Sequence, residues 1–131
     1  MKNLILPLVV LSMVLTVSCK KENEVKPQSP VVTNSIIDVE YRVEAESGNF
    51  YVTYLKPNSE GKFEMETETI DRRTSFSVNF KAQSGNLFFV EAANVVAANK
   101  TVFVQLYING ILVKEGQSYN PSQKAVAQGN Y

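Results

Sequence analysis

From residue 36 onward this chain alternates apolar and polar side chains with a period of two residues. The stretch IIDVEYRVEA, residues 36–45, shows the pattern clearly, because every second side chain from Ile37 to Ala45 is apolar and those between them are charged. That period is typical of a strand with one buried face, whereas the period of a helix is about 3.6 residues. Related patterns between clusters of turn formers predict further strands. They lie at 50–55, 62–70, 74–82, 87–94, 101–108 and 111–116, with a last edge strand at 124–128.

Asparagine and glycine at 109–110 stand between two of the apolar runs. Both central residues of a type I′ turn need positive φ, which Asn109 and Gly110 tolerate better than other residue types. The sequence therefore predicts a tight hairpin between the strands 101–108 and 111–116.

Seven or eight strands without helical periodicity predict an all-β fold. We expect residues 36–131 to form an antiparallel, immunoglobulin-like β-sandwich. Strand 87–94 is almost continuously apolar, so it should be central and covered on both faces, which favours a sandwich over the alternative of an up-and-down barrel. With one cysteine and no tryptophan, the chain is expected to share the architecture of immunoglobulin domains and not their family. The expected core contains the phenylalanines, namely Phe50, Phe63, Phe76, Phe80, Phe88, Phe89 and Phe103.

Residues 1–18 have the organisation of a secretory signal peptide. Lys2 gives a positive start, and Leu4–Val17 is almost wholly apolar. As a helix this run would be about 21 Å long, well short of the roughly 30 Å hydrocarbon core of a bilayer. A cleaved signal is therefore favoured over a membrane-spanning anchor. The 131 residues of the chain leave room for one folded domain.

The chain's one cysteine lies at the seam between the apolar run and a polar segment. The motif LTVSC, Leu15 to Cys19, resembles the lipobox of bacterial lipoproteins, although Thr16 stands where leucine is usual. The resemblance implies that Cys19 receives a diacylglyceryl group, becomes the new amino terminus and is acylated there. Two or more fatty chains hold a protein on a membrane stably. The alternative is a free thiol after an ordinary secretory signal.

Residues 19–35 are expected to form a disordered tether between the lipid and the folded domain. They are rich in Lys, Glu, Pro, Asn and Ser, and such a segment cannot bury enough apolar surface to fold. Fully extended, it would reach about 50 Å. The residues KKENE at 20–24 resemble the surface-export signal of Bacteroidetes-type lipoproteins, with a plain solvated linker as the alternative. We therefore expect an exported protein, held by lipid on a membrane such as the outer membrane and facing the periplasm or the cell surface.

The residue types needed for enzymatic turnover are sparse. The chain has no histidine and its cysteine is assigned to lipid, which removes Ser-His and Cys-His pairs and the commonest metal ligand. Glu64, Glu66 and Glu68 share one strand face, about 7 Å apart, but their alternation with Phe63 and Met65 is typical of a solvent-facing surface. We therefore expect no catalytic residue, metal or cofactor. The formal net charge of zero also argues against a nucleic-acid partner.

Aromatic side chains are the remaining candidates for a ligand surface. Phe103 and Tyr107 would share the outward face of the sixth strand if the alternate aliphatic residues face the core. Together with Tyr51, Tyr54 and Tyr119 they could form an exposed platform for a sugar ring or a partner protein. The alternative is that these rings cover a sheet edge or pack under a neighbouring loop.

The order of the motifs resembles the MmpS-type family, small membrane-anchored proteins with a β-sandwich ectodomain. The matching segments are VEYRVEAESGNFYVTY at 39–54, LFFVEAAN at 87–94 and VFVQLYINGILVKEG at 102–116. Within them the matching residues are Tyr41, Val43, Gly48, Val52, Tyr54, Ala92, Ala93, Asn94, Asn109 and Gly110. The chain departs from the family in having no ectodomain cysteine pair and in its expected use of lipid where many members have a transmembrane helix. The resemblance implies a non-enzymatic envelope accessory protein, in the best-known branch one that assists exporters of the resistance–nodulation–division (RND) class.

Two functions from different classes are compatible with these features. The first is a lipid-anchored interaction or transport-accessory module that docks on another envelope protein, for instance an RND-type transporter, by a sheet face or by edge pairing. The second is a carbohydrate-binding lipoprotein at the cell surface. A flat apolar patch or a bare, long edge strand would favour the first, and a concave groove lined by tyrosine with a polar rim would favour the second.

Overall fold

A computed structural model describes residues 34–95 and 99–131 of the chain. The expected signal peptide at 1–18, the lipidated Cys19 and the tether up to residue 33 lie outside the described residues. The described part contains eight strands and no helix. The strands are β1 (Ile36–Ala45), β2 (Asn49–Pro57), β3 (Phe63–Asp71), β4 (Ser75–Gln83), β5 (Leu87–Asn94), β6 (Val102–Ile108), β7 (Ile111–Ser118) and β8 (Ala125–Asn130).

The strands form two antiparallel sheets that pack face to face. Sheet A has the order β4-β1-β6-β7, and sheet B has the order β3-β2-β5-β8. The all-β sandwich that the alternation predicts is therefore confirmed, and the presence of two separate sheets speaks against the up-and-down barrel. The likeness to immunoglobulin domains is one of architecture, because β1 and β2 lie in different sheets here, whereas the first two strands of an immunoglobulin domain share a sheet.

The core lies between the sheets and is built from alternate residues of the central strands. On β1, every second side chain from Ile37 to Ala45 is buried, as the alternation predicts. Phe50 and Phe88 are also fully buried, and the other phenylalanines of the core pack at its margin, namely Phe63, Phe76 and Phe80. Phe89 and Phe103 lie on the outer faces, so their assignment to the core is wrong. Each stands between two buried residues of its strand and must therefore point the other way.

Strand β5 is central in sheet B, as predicted, but its outer face is fully buried only at Ala93. Phe88 and Val90 point into the core, whereas Leu87 and Phe89 point away from it. The expectation of cover on both faces is therefore wrong. No further layer lies over sheet B in the described part of the chain, so the apolar outer residues of β5 face the surroundings.

The hydroxyl of Tyr41 crosses from sheet A and lies where the pairing between β2 and β5 ends. It donates a hydrogen bond to the carbonyl oxygen of Leu55 at 2.8 Å and accepts one from the N–H of Phe89 at 3.1 Å. Because the β2–β5 ladder ends at Tyr54 of β2, Tyr41 satisfies buried backbone groups that have no ladder partner. Burial raises the pKa of the Tyr41 hydroxyl, against a smaller opposing effect of the Phe89 hydrogen bond.

The two long edges of the sandwich differ. On one side β7 approaches β8 so closely that a β-carbon at Gly116 would overlap the carbonyl of Val126. On the other side β4 lies over β2, where the ring centroids of Phe76 and Tyr54 are 5.5 Å apart. Strand β3 therefore projects beyond β4, and most of its inner face remains accessible. The sandwich is closed along β7 and β8 and open along β3 and β4.

Asn109 and Gly110 form the tight turn between β6 and β7. Their φ values are 50° and 78°, so the hairpin predicted from this dipeptide is confirmed. Asn109 also ties the turn to β1, because its side-chain oxygen accepts a hydrogen bond from the N–H of Asp38 at 2.9 Å and its own N–H donates to the Asp38 carbonyl at 2.8 Å.

Candidate functional site

The outer face of sheet B carries apolar side chains from all four of its strands. Leu55 of β2 lies directly opposite Met65 of β3, and Leu55 and Phe89 are linked through the Tyr41 hydroxyl. Together with Leu87 and Val126 they form a set of five residues that we call the apolar patch. Met65 is 58% exposed and Leu87 is 49% exposed. Contiguous apolar surface of this kind marks interaction sites on folded domains.

Two pairs of polar groups around the apolar patch are already bonded to one another. The hydroxyls of Thr53 and Thr67 hydrogen bond at 2.9 Å, and Lys124 forms an ion pair with Glu91 at 2.5 Å. The hydrogen bond to Glu91 raises the pKa of the Lys124 ammonium, which also lies 6.0 Å from the ring centroid of Tyr51. A partner that covers the patch would therefore find these four side chains already bonded.

The outer face of sheet A is charged where that of sheet B is apolar. Glu40 and Arg42 of β1 form an ion pair at 2.9 Å, and hydrogen bonding to Glu40 raises the pKa of Arg42. The Arg42 guanidinium lies 4.8 Å from the ring centroid of Tyr107, whose hydroxyl donates to Gln105 at 3.2 Å. Arg42 therefore competes with any ligand for the face of the Tyr107 ring.

Phe103 lies on the same face as Tyr107, beside a hollow of about 450 Å³. The Phe103 side chain is 39% exposed, and the hollow is also lined by Glu44, Glu46 and Ser75. Carboxylates and a hydroxyl next to an exposed ring can hydrogen bond to a sugar while the ring stacks on its apolar face.

The inner face of β3, at the open edge of the sandwich, is acidic. Glu64, Glu66 and Glu68 share the parity of the buried Ile70, and they point to the core side of sheet B while Met65 points outward. The expectation that these glutamates face solvent is confirmed, whereas the implied burial of Met65 on the opposite face is wrong. They remain accessible because β3 projects beyond β4.

Tyr54 lies beneath this acidic row and is 1% exposed. Its hydroxyl donates hydrogen bonds to Glu68 at 2.6 Å and to Glu66 at 3.0 Å. Burial, followed by these two carboxylates, raises the pKa of the Tyr54 hydroxyl. Lys56 lies 2.9 Å from Glu66 and lowers the pKa of that carboxyl. These contacts hold two carboxylates in fixed positions at the open edge.

The five aromatic residues expected to form a ligand surface do not share one, and Tyr119, which is 60% exposed, lies just after the end of β7. Phe103 and Tyr107 lie on the outer face of sheet A, whereas Tyr51 is half-buried on the outer face of sheet B. Tyr54 is not a surface residue, because it has the parity of the buried Phe50 on β2 and lies in the core. The aromatic platform is thus reduced to the Phe103–Tyr107 pair, of which Tyr107 is already engaged by Arg42.

The apolar patch was not anticipated from the sequence, although a signal for it was present. The run LFFVEAAN in β5 alternates between two faces like any strand. In a domain of two layers one of those faces has no cover, so Leu87 and Phe89 had to point outward once Phe88 and Val90 pointed inward.

Metal and membrane-spanning features are absent from residues 34–95 and 99–131. No group of three or more Cys, Asp or Glu side chains there is arranged to hold a metal ion, and no helix of membrane-crossing length and hydropathy is present in that part of the chain. Each buried side-chain nitrogen and oxygen of the described residues has a hydrogen-bond partner.

Comparison with known proteins adds no relative to this picture. No family model matches the chain, and no curated protein matches it. Three surfaces of the sandwich are candidates for binding: the apolar patch, the hollow beside Phe103 and the acidic open edge.

Proposed function

We propose that this chain is a lipid-anchored, non-enzymatic cell-envelope protein that acts as an interaction or transport-accessory module. It docks on another envelope protein through the apolar patch on the outer face of sheet B. The observation that carries the proposal is the exposure of Met65 and Leu87, 58% and 49%, beside the half-buried Phe89. These side chains contribute little to the stability of the isolated domain and gain most from a partner that removes them from water.

Covering the apolar patch would release useful free energy at small electrostatic cost. Apolar surface removed from water contributes roughly 25 cal/mol per Å², and Met65, Leu87 and Phe89 each present a large apolar side chain. Glu91, which follows Phe89 on the same face of β5, already has Lys124 as its partner. The outer face of sheet A is less suited to docking, since burying its ionised side chains would cost free energy unless the partner paired with them.

The proposed lipid on Cys19 would confine the domain to a membrane surface. With a tether that reaches about 50 Å when extended, the domain can meet partners in the same envelope. Confinement raises the effective concentration of the two proteins, so a patch of moderate area suffices for binding. The resemblance to MmpS-type proteins makes an RND-type exporter the first partner to test.

Co-purification from native membranes tests this proposal. We expect Phe89→Glu to reduce recovery of the partner about tenfold or more, because a carboxylate would be buried in the interface. Gln105→Glu places the same charge on the outer face of sheet A and should leave recovery unchanged. Cys19→Ser separates anchoring from docking, since the unlipidated protein should leave the membrane fraction and still bind the partner in detergent extract. Equal recovery with wild type and Phe89→Glu would remove the apolar patch as the docking face.

Carbohydrate binding at the cell surface is the second candidate function, favoured by the hollow beside Phe103. In this role the Phe103 ring would stack on a sugar, and Glu44 and Ser75 would accept or donate hydrogen bonds at its hydroxyls. Binding to a glycan array that is lost in Phe103→Ala and retained in Phe89→Glu would reverse the order of the two candidates.

A further inference from the structure

A second interaction surface, separate from the apolar patch, lies at the open edge of the sandwich. We propose that this edge binds an extended segment of a partner protein as an added β-strand, and that the segment carries Lys or Arg at every second residue. The site is bounded by the free edge of β4 and by the inner face of β3, and we call it the strand slot. This inference goes beyond the proposed function, because it concerns another surface and stands even if the apolar patch is not a docking face.

The wall of the strand slot is a row of unpaired backbone groups on β4. The N–H of Ala45 donates to the Thr74 carbonyl and the N–H of Ser84 donates to the Ser35 carbonyl, both at 2.8 Å. In an antiparallel ladder this fixes the even-numbered residues of β4 as those bonded to β1. The odd-numbered residues direct their N–H and C=O groups to the open edge, and from Ser75 through Ser77 and Asn79 to Lys81 these groups have no partner in the described residues. At Gln83 the carbonyl already accepts a hydrogen bond from the Asn86 side chain at 2.9 Å. No described strand pairs with that edge, and a bare edge of this length is a template for strand addition.

The floor of the strand slot is the acidic row on β3. Because β4 lies over β2, a strand added beside β4 would lie over β3. Glu64, Glu66 and Glu68 follow one another at about 7 Å, the spacing of alternate residues in any strand. Glu66 is 40% exposed at its side chain although Lys56 pairs with it, and Glu64 and Glu68 are exposed. Because Lys56 supplies one positive charge against three carboxylates, the floor of the strand slot has a net negative charge.

Inward side chains of the added strand would meet two different environments. Beside them lie the half-buried apolar side chains of β4, Phe76, Val78 and Phe80. Below them lie the carboxylates, across a layer spacing of about 10 Å. Lys and Arg suit both environments, because their aliphatic stems pack on apolar surface while the charged head reaches farther, and the phenylalanine rings add cation–π attraction. Short or acidic side chains would leave the carboxylates uncompensated.

Space for such a strand is present at one end of the slot. An open hollow of about 600 Å³ at this end is lined by Glu68 of β3 and by Phe76 and Ser77 of β4, with Arg73, Arg42 and Glu44 at its margin. Outward side chains of the added strand would lie beside small polar residues such as Ser77, so they are not constrained. The alternating basic pattern should stop at the end near Arg73, where a further cation would be repelled.

Hydrogen exchange on the full chain in detergent micelles tests the inference with a defined probe. The probe is a capped peptide as long as β4, nine residues, in which lysine alternates with threonine. We expect it to slow exchange at the amides of Ser75, Ser77, Asn79 and Lys81, about tenfold or more at saturation. The amides of Phe76, Val78 and Phe80 are already bonded to β1 and should not change. Protection at the edge of β3 or on a sheet face, or no protection at about 1 mM peptide, would overturn the strand slot.

Control peptides and variants separate the two parts of the inference. A peptide of the same composition with its lysines grouped at one end should bind the wild-type protein about tenfold more weakly than the alternating peptide. The alternating peptide should likewise bind about tenfold more weakly to the triple variant Glu64→Gln, Glu66→Gln, Glu68→Gln than to the wild-type protein. Ser77→Pro removes one outward N–H and should abolish binding, whereas Thr67→Pro at the free edge of β3 should not. Equal affinity for both peptides would contradict the charge pattern, and binding that survives Ser77→Pro would contradict strand addition.

Discussion

At the scale of single residues, Tyr41 connects the two sheets. Its ring packs against Phe80, with centroids 5.3 Å apart, and its hydroxyl satisfies Leu55 and Phe89 in the opposite sheet. The sequence identified Tyr41 as an inward residue, because the alternation of β1 fixes its face. It could not identify the bonds to β2 and β5, since these depend on strands that lie far away along the chain.

We expect Tyr41→Phe to lower the free energy of unfolding at neutral pH by about 2–4 kcal/mol, because a buried carbonyl and a buried N–H lose their partner. As the pH rises into the alkaline range, the free energy of unfolding of the variant should also fall by less than that of wild type, each compared with its own value at neutral pH. The pKa of Tyr41 is raised in the folded state, so its contribution is complete below pH about 10, the ordinary tyrosine value, and is lost as the pH rises toward the folded value.

Urea unfolding at neutral pH and at several values above pH 10 or so measures both effects. Tyr51→Phe on the outer face of sheet B is the control and should change the stability by less than about 0.5 kcal/mol. A Tyr41→Phe variant as stable as wild type at neutral pH would show that the hydroxyl does not bridge the sheets.

At the scale of elements, the sequence predicted the positions of the strands well, but it predicted poorly which elements lie against each strand. Alternation and turn residues are local signals, so the eight strands and the turn at Asn109–Gly110 were foreseen. The orientation of the β3 side chains was not foreseen. Glu64, Glu66 and Glu68 face the core side of sheet B and stay accessible only because β4 does not cover them. Ile70 held the clue, since the one buried residue of β3 shares their parity.

The β6–β7 hairpin depends on the conformation of its turn. Asn109→Val should lower the free energy of unfolding by about 2–4 kcal/mol, because a β-branched residue resists positive φ and the bond to the Asp38 N–H is lost. Asn109→Gly keeps the conformation and should lose only the side-chain bond, about 1 kcal/mol. Thermal unfolding of the two variants separates these terms. Equal melting temperatures for both would show that positive φ contributes nothing to the cost.

At the scale of the whole molecule, the architecture could be predicted and the working surfaces could not. A sandwich follows from strand number and alternation, which are properties of the sequence alone. Which edge closes depends on the approach of β7 to β8 at Gly116, and which face is left apolar depends on β5 lying beside β2 and β8 in sheet B. Both are long-range outcomes of strand order, and the predicted platform of Tyr51, Tyr54, Phe103 and Tyr107 was lost for the same reason.

The central claim is that the outer face of sheet B meets a protein partner at the cell envelope. Photo-crosslinking in living cells tests it directly, with a photoreactive residue placed at Met65 in the apolar patch or at Ile111 of β7, which is comparably exposed at 68%. We expect a protein adduct of one size from Met65 and none from Ile111. Adducts from Ile111 alone, or no protein adduct from Met65, would contradict it.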